Sequence, residues 1–479
     1  MRSMAAPHDL DAIQVAAQYA SGALSPVEVA QACLARIAAC ETNLNAMYRT
    51  DRDGALVQAR DSESRWLAKR PLSALDGVPV TLKENIYTKG DPAPIGTLAN
   101  ADAPPQPADA PPAARLREAG CVILGKTTMP DYGMLSSGLS SIHGLTRNPW
   151  RLDRNTSGSS SGAAAAAAAG YAPLHLGTDI GGSVRLPAAH CGIFALKPSL
   201  GRVPVYPPYI GRVAGPMTRS VADSAALMGL LSRPDARDFM SLPFQEVDFL
   251  KGIEKNPERN LEHLRIGFLP DMKVGLPVHP EVRAAAAAAA HALESAGAAV
   301  EEMQSFLTPE MFDGWWRFFE ARSGADLAQL TPERRAKVLP FIVEWCTWRA
   351  DKFSGADVIR AYGSIMQMRE ATVAATLPYD FVISPTSPIL PYEAGLPAPG
   401  NDPHNALPHI AFTVPFSMSE QPAASLNWTY SKDGLPGKDG PLPVGIQIVG
   451  RRFDDLGVLR LSRALEQMRP AQKPWPSLS

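Results

Sequence analysis

The chain has little cysteine: Cys33, Cys40, Cys121, Cys191 and Cys346 are five among 479 residues. The count is odd and no two stand as Cys-x-x-Cys, so neither a disulfide framework nor a thiolate metal site is expected. Cys33 and Cys40 sit seven apart in an apolar helical pattern and read as core thiols. Positive charge is not in surplus: Lys+Arg 46 stand against Asp+Glu 48, for a net charge of -2. That balance argues against nucleic acid or an anionic membrane as the main partner. No run of 18 apolar residues occurs, so no membrane-spanning helix is expected. The first twenty residues have no apolar h-region and carry Asp9 and Asp11, unlike a signal peptide. No internal repeat is visible. These absences lead to the expectation of a reduced, cytoplasmic protein without metal or cofactor.

What is present points to a large folded unit. Hydrophobic residues make up 45% and charged residues 20%, which excludes bulk disorder. A chain of this length buries a substantial core without disulfides. Proline, 45 of 479 residues, is roughly twice as frequent as average and fixes many loops.

Residues 8–70 read as helical. Ser25-Pro26 supplies an N-cap and a first-turn proline with Glu28 beside them, and Val29, Cys33, Leu34 and Ile37 follow at helical spacing. Val78–Leu82 and Val122–Leu124 read as buried strands, with the Pro/Ala-rich stretch 102–112 as a loop and Ala113–Ala119 as a helix. Residues 155–200 are rich in Gly, Ser and Ala and poor in charge, with Ala163–Ala169 a strong helix former. Leu264–Leu269, Phe381–Ser384 and Val444–Val449 are further strand candidates, and Val282–Leu293 is an Ala-rich helix. The aromatics of 307–375 suit amphipathic helices. Pro391–Gly440 reads as one long irregular stretch. Strands alternating with helices predict an α/β fold, a twisted mixed sheet covered by helices on both faces.

Two motifs match short patterns but not their mechanics. Gly120 to Thr127 fits GxxxxGK[ST] letter for letter. Its variable residues are Cys, Val, Ile and Leu, which form a strand and not a phosphate-cradling loop. Gly158-Ser159-Ser160-Ser161-Gly162 fits the GxSxG elbow of α/β-hydrolases, with Ser160 as nucleophile. That elbow needs an apolar strand before it, and Arg151–Ser157 (RLDRNTS) is not expected to be one.

The sharpest segment is Gly177-Thr178-Asp179-Ile180-Gly181-Gly182-Ser183-Val184-Arg185. Two glycines before a serine let successive N–H groups turn toward one point beside a hydroxyl, as an oxyanion hole requires. The segment occurs with five others in fixed order: DGVPVTLKEN (76–85), GKTTMP (125–130), NPW (148–150), SGSSSG (157–162) and GIQIVG (445–450). Together these resemble the amidase signature family over nearly the whole chain, least over 235–375.

The resemblance implies one large domain over 1–479: an N-terminal helical region (1–75), a signature core (76–230), a variable helical region (235–375), and C-terminal strands and substrate-side loops (376–479). It implies Ser183 as nucleophile, Ser159 as a bridging serine after a cis bond from Gly158, and Lys83 as base. Ile180, Gly181, Gly182 and Ser183 would offer oxyanion N–H groups, and the Gly133 carbonyl would meet the substrate amide with Tyr132 and Met134 beside it. Thr178, Asp179, Arg185 and Gln447 would support the loop. A lysine is ordinarily a poor base at neutral pH, but burial at the end of an apolar strand disfavours its charged form. Lys83 could then draw a proton through Ser159 from Ser183, giving an acyl-enzyme. One departure stands out: Ser157 and Ser161 replace two glycines of the family's usual GGSSGG.

The activity so implied is hydrolysis of a small-molecule linear carboxamide. Tyr132, Trp428 and Tyr430 suggest an aryl amide, anilide or carbamate. A glutaminase component of an amidotransferase assembly is the alternative, with an esterase built on Ser160 behind it. The expected partners are the small-molecule amide and neither nucleic acid nor membrane, with a homodimer left open.

Overall fold

The computed structural model describes residues 6–254, 261–349, 352–432 and 440–478. Its centre is an 11-stranded mixed sheet. In spatial order the strands are Met47–Thr50, Val122–Thr127, Pro79–Lys83, Leu174–Asp179, Val213–Thr218, Phe194–Lys197, Ala423–Tyr430, Pro443–Gly450, Phe381–Pro385, Arg265–Phe268 and Ala299–Glu302. Pro79–Lys83 runs parallel to both its neighbours, Val122–Thr127 and Leu174–Asp179. The middle of the sheet is antiparallel.

Both faces of the sheet are buried, as the partition of consecutive residues shows. Phe194 and Leu196 join a core with Val221 and Leu227, while Ala195 between them packs with Ala163, Val184 and Ala188. Ile383 belongs to the first core, and Val382 beside it to a third that holds Trp315, Trp345 and Phe412. Alternation of side chains along a strand puts neighbours on opposite faces, so each strand must be apolar at both.

The helices form where local signals place them. Ser25 Oγ accepts from the Glu28 N–H at 3.2 Å and Glu28 Oε2 accepts from the Ser25 N–H at 2.7 Å, a reciprocal cap that starts Pro26–Leu44. Val29, Cys33, Ile37, Cys40 and Leu44 then face the core. Ser161–Ala169 is buried all round, and its alanines let strands and helices approach its backbone closely.

Several expectations need correction. Residues 8–70 hold three helices but also the edge strand Met47–Thr50, which pairs with Val122–Thr127. The strand beginning at Val122 runs to Thr127. Arg151–Asn155 does form a strand, in a two-stranded ribbon with Arg147–Asn148. Its residues are largely polar because only its far end is buried. Pro391–Gly440 is not uniformly irregular: it contains the helix Val414–Met418 and the central strand Ala423–Tyr430. Ala-Ala-Ser-Leu-Asn-Trp has a weak hydrophobic pattern, and pairing on both sides fixes it as strand. Leu174–Asp179 and Val213–Thr218 are likewise strands hidden in Gly/Thr-rich sequence.

The phosphate-loop look-alike is a strand. Gly125 lies at φ +149°, where a Cβ would stand 2.0 Å from the Arg49 carbonyl oxygen, so glycine serves close strand packing. The Lys126 amine is buried and donates to the Ile86 carbonyl and to Thr88 Oγ1. Among the described residues no helix is long and apolar enough to cross a membrane.

Candidate active site

The site forms where two parallel strands end side by side. Pro79–Lys83 delivers Lys83, and Leu174–Asp179 runs into the loop that carries Ile180 to Ser183. Ser159 lies just before the helix Ser161–Ala169, after a cis Gly158–Ser159 peptide bond. Ser159, Thr178, Ile180, Gly181 and Ser183 line one cavity together with Tyr132, Gly133 and Met134.

Lys83 is 0% exposed, with Nζ 2.7 Å from Ser159 Oγ and 3.0 Å from Ser160 Oγ. Burial pushes the amine down to about 7, the nearby Arg212 guanidinium pushes the same way, and Asp179 and Glu84 oppose both. Glu84 turns away from the amine: one oxygen meets His143 Nε2 at 2.6 Å, and the other accepts the Gly96 N–H at 3.0 Å. Ser160 Oγ donates to the Thr178 carbonyl at 3.1 Å and accepts the Thr178 N–H at 3.3 Å. It is fully buried and is not among the residues lining the cavity.

Ser183 is half-buried, and its hydroxyl makes no hydrogen bond among the described residues, to Ser159 included. The backbone N–H groups of Ile180, Gly181 and Ser183 have no acceptor there either. Gly182 differs from the expectation of four free donors: its N–H donates to Asp179 Oδ1 at 2.8 Å. Gly182 sits at φ +134°, and a Cβ would lie 2.4 Å from Thr413 Oγ1, so glycine is required for both shape and space.

Asp179 braces this loop. Besides Gly182 it accepts the Val184 N–H at 3.1 Å and a two-pronged contact from Arg185, at 3.1 Å from Nε and 3.0 Å from an end nitrogen. Burial pushes its carboxyl up, but the Arg185 guanidinium outweighs that and holds it below the usual carboxylate range. Arg185 in turn donates to the Thr413 carbonyl, Ser417 Oγ and Gln447 Oε1. Gln447 donates to Ser384 Oγ and the Phe412 carbonyl and does not line the cavity. Thr178 Oγ1 pairs with the Asn85 amide.

The cavity also holds residues that sequence reasoning missed. Trp315, Phe319, Arg322, Trp345, Leu407 and Ile410 come from the helical region and C-terminal loops, and Arg212 from the turn before Val213–Thr218. The aromatic density of 307–375 is visible in sequence, but nothing local marks Arg212. Trp428 and Tyr430 lie elsewhere: Trp428 belongs to the main core, and the Tyr430 ring packs 5.1 Å from Trp150. Among the described residues no group of three His, Cys, Asp or Glu side chains is placed to hold a metal ion.

A family model described as Amidase matches residues 28–459. An acylamidase from Rhodococcus erythropolis is 33% identical over 488 residues, covering 98% of each chain. The A subunit of a Glutamyl-tRNA(Gln) amidotransferase from Myxococcus xanthus is 33% identical over 491 residues, covering 96% of this chain and 97% of its own. A bacterial aryl acylamidase crystal structure superposes with a TM-score of 0.85 at 27% identity, covering 96% of each chain. With Ser159 and Ser183 on one cavity, the Lys83 amine bonded to Ser159 behind them and the match running through the sheet that carries them, the chain belongs to the amidase family, the amidase-signature hydrolases that act on amides.

Proposed function

We propose that this chain hydrolyses a small-molecule linear amide, with Ser183 as nucleophile, Ser159 as proton bridge and Lys83 as base. The observation that carries this is the solvent-free Lys83 amine 2.7 Å from Ser159 Oγ, on the cavity that Ser183 also lines. The Ser160 hydroxyl proton is committed to the Thr178 carbonyl, so Lys83 must donate to Ser160. A neutral amine then keeps its lone pair for the Ser159 proton.

Substrate binding brings the carbonyl carbon to Ser183 Oγ. As the C–O bond forms, the Ser183 proton passes to Ser159 and the Ser159 proton to Lys83. The carbonyl oxygen gains negative charge and is met by the free N–H groups of the Ile180–Ser183 loop, held in place by Asp179. The proton returns along the same path to the departing nitrogen, and the C–N bond breaks to leave an acyl-enzyme and a neutral amine. Water repeats the sequence, releasing a carboxylate and free Ser183. Ser160, buried away from the cavity and bonded to Lys83 and Thr178, serves in this reading as an anchor for Lys83, which speaks against the esterase alternative built on it.

A panel of primary amides, anilides, carbamates and glutamine, run with wild type and Ser183→Ala, tests this reading. Amine or ammonia release by wild type and a fall of about a thousandfold or more in the variant are expected. Equal activity of the two proteins overturns it. The amidotransferase relative supports a second reading, the glutaminase component of an assembly. Release of ammonia from glutamine only after a partner is added, with a larger species on size exclusion, would favour that one.

A further inference from the structure

The lining of the cavity is unbalanced in charge and in hydrogen-bonding character. Arg212 and Arg322 both line it, and no Asp or Glu among the described residues does. Arg322 is compensated by Asp326, 3.2 Å away on the next helical turn. Arg212 is half-buried and has no carboxylate partner among the described residues. Among the described residues its guanidinium makes one hydrogen bond, to the Pro207 carbonyl at 3.1 Å from one of its end nitrogens, which leaves the rest of the fork without a hydrogen-bond partner there. Both guanidiniums lie over the Tyr209 ring, Arg212 at 5.7 Å and Arg322 at 4.6 Å from its centroid. Burial and the second cation both push the Arg212 guanidinium below its ordinary value.

A second, independent observation comes from the apolar wall. Trp315 and Trp345 are 3% and 2% exposed, both line the cavity, and neither indole N–H has an acceptor among the described residues. The Cζ2 edge of Trp315, adjacent to that nitrogen, lies 3.6 Å from where a Cβ on Gly181 would stand. The residue before Arg212 packs beside the same loop, since a Cβ on Gly211 would lie 3.9 Å from the Ile180 carbonyl oxygen, and Arg212 itself lines the cavity with Ile180 and Gly181. Unsatisfied buried donors are costly, and a ligand rich in acceptors satisfies them.

We propose that the substrate of this amidase carries a carboxylate, received by Arg212, on one half of the amide, with an apolar remainder against Trp315, Phe319 and Trp345. The proposal rests on the amidase reading above. It also separates substrates: an amino acid such as glutamine brings an ammonium beside its carboxylate, and no described lining residue offers that ammonium an anionic partner. An amide with a lone carboxylate meets only its complement.

Matched probes test this and assign the side of the carboxylate. Succinanilate against pentananilide places the charge on the acyl half, and 4-acetamidobenzoate against 4-methylacetanilide places it on the amine half. One of the two pairs is expected to show a preference of about tenfold or more in kcat/KM for the anion, carried by KM. In Arg212→Gln that ratio is expected to fall toward one, and in Arg212→Lys to be partly kept. Wild type that cleaves the neutral anilides without preferring either anion overturns the carboxylate proposal and leaves the amidase reading standing. A variant that shifts only the pH profile, with the preference intact, also overturns it and assigns Arg212 to holding Lys83 neutral. If wild type cleaves no probe, the amidase reading fails on this panel. Calorimetric titration of Ser183→Ala with the same four compounds then decides the anion site: selective binding of an anionic probe supports it, and equal or absent binding overturns it.

Discussion

The Lys83 amine, fully buried, and the Ser159 hydroxyl, at the cavity wall, face each other at 2.7 Å. Burial brings that amine to about 7, so its charge changes within the working range of most enzymes. The base must be unprotonated to accept from Ser159. Activity is therefore expected to rise tenfold per pH unit below about 7 and to level off above it. A kcat/KM profile from about pH 5 to 9 checks this, and a profile flat through 7 would remove Lys83 from the role of base. Lys83→Arg keeps the length and a charge that cannot be shed, and is expected to be inactive across the range.

The same burial that makes Lys83 a base lowers the stability of the fold, in a pH-dependent way. Free lysine titrates near 10.5 and folded Lys83 near 7. Between these values the unfolded chain binds a proton that the folded chain does not, so stability rises with pH across that window. Below about 7 both states are protonated and the penalty is constant. Lys83→Met is expected to abolish activity yet raise the denaturant midpoint at pH 7, with the advantage shrinking toward pH 10.5. Lys126, held at about 8, and Lys197, held at about 7, add slopes of the same sign to both proteins. The difference between the two midpoints, not either one, is the measurement.

How far these features are legible in sequence depends on how local their causes are. The cap at Ser25 and the strand ending at Lys83 follow from neighbours in the chain, and both can be read there. The Gly-Gly-Ser turn announces itself because only glycine fits at Gly182. Arg212 does not, since its meaning lies in the absence of an acid from elements distant in the chain. Trp428 reads as a pocket residue on its chemistry alone, but strand pairing turns it into the main core. Gln447 is expected as a support for the loop, and it bonds Arg185 and the Phe412 carbonyl, partners from distant parts of the chain that sequence does not reveal.

Asp179 and Arg185 form a fully buried ion pair whose remaining bonds reach the Gly182 and Val184 N–H groups on one side and Thr413, Ser417 and Gln447 on the other. Removing one partner leaves a buried charge uncompensated, at a cost of about 3–5 kcal/mol. Asp179→Leu and Arg185→Leu are each expected to destabilise by that order, and the double substitution by clearly less than their sum. Denaturant midpoints of the four proteins give the coupling. Additive losses would show that the pair does not act as a unit. Asp179→Asn keeps an acceptor for Gly182 and is expected to lose activity at temperatures where it remains folded, because the loop carrying the free N–H groups is held less firmly.

Ser157 stands where the family's usual pattern has glycine, and it keeps the backbone that glycine would adopt. Its φ is +59°, in the left-handed region that costs a side chain about 1 kcal/mol or more. Its hydroxyl is buried without a hydrogen-bond partner among the described residues, a further cost of about 1–3 kcal/mol. The backbone is fixed from outside, since the Ser157 N–H donates to Asn155 Oδ1 at 2.8 Å, a bond that any residue at 157 except proline can make. Ser157→Gly therefore removes two penalties and adds only the greater freedom of glycine in the unfolded chain, about 0.5–1 kcal/mol. A net gain of about 1 kcal/mol is expected from chemical denaturation. Ser157→Ala removes the hydroxyl but keeps the strained φ, so its gain should be smaller. If alanine gains as much as glycine, the backbone at 157 carries no strain and the hydroxyl alone accounts for the effect. If neither gains, a partner for that hydroxyl exists in solution, and the serine is a structural contact in its own right.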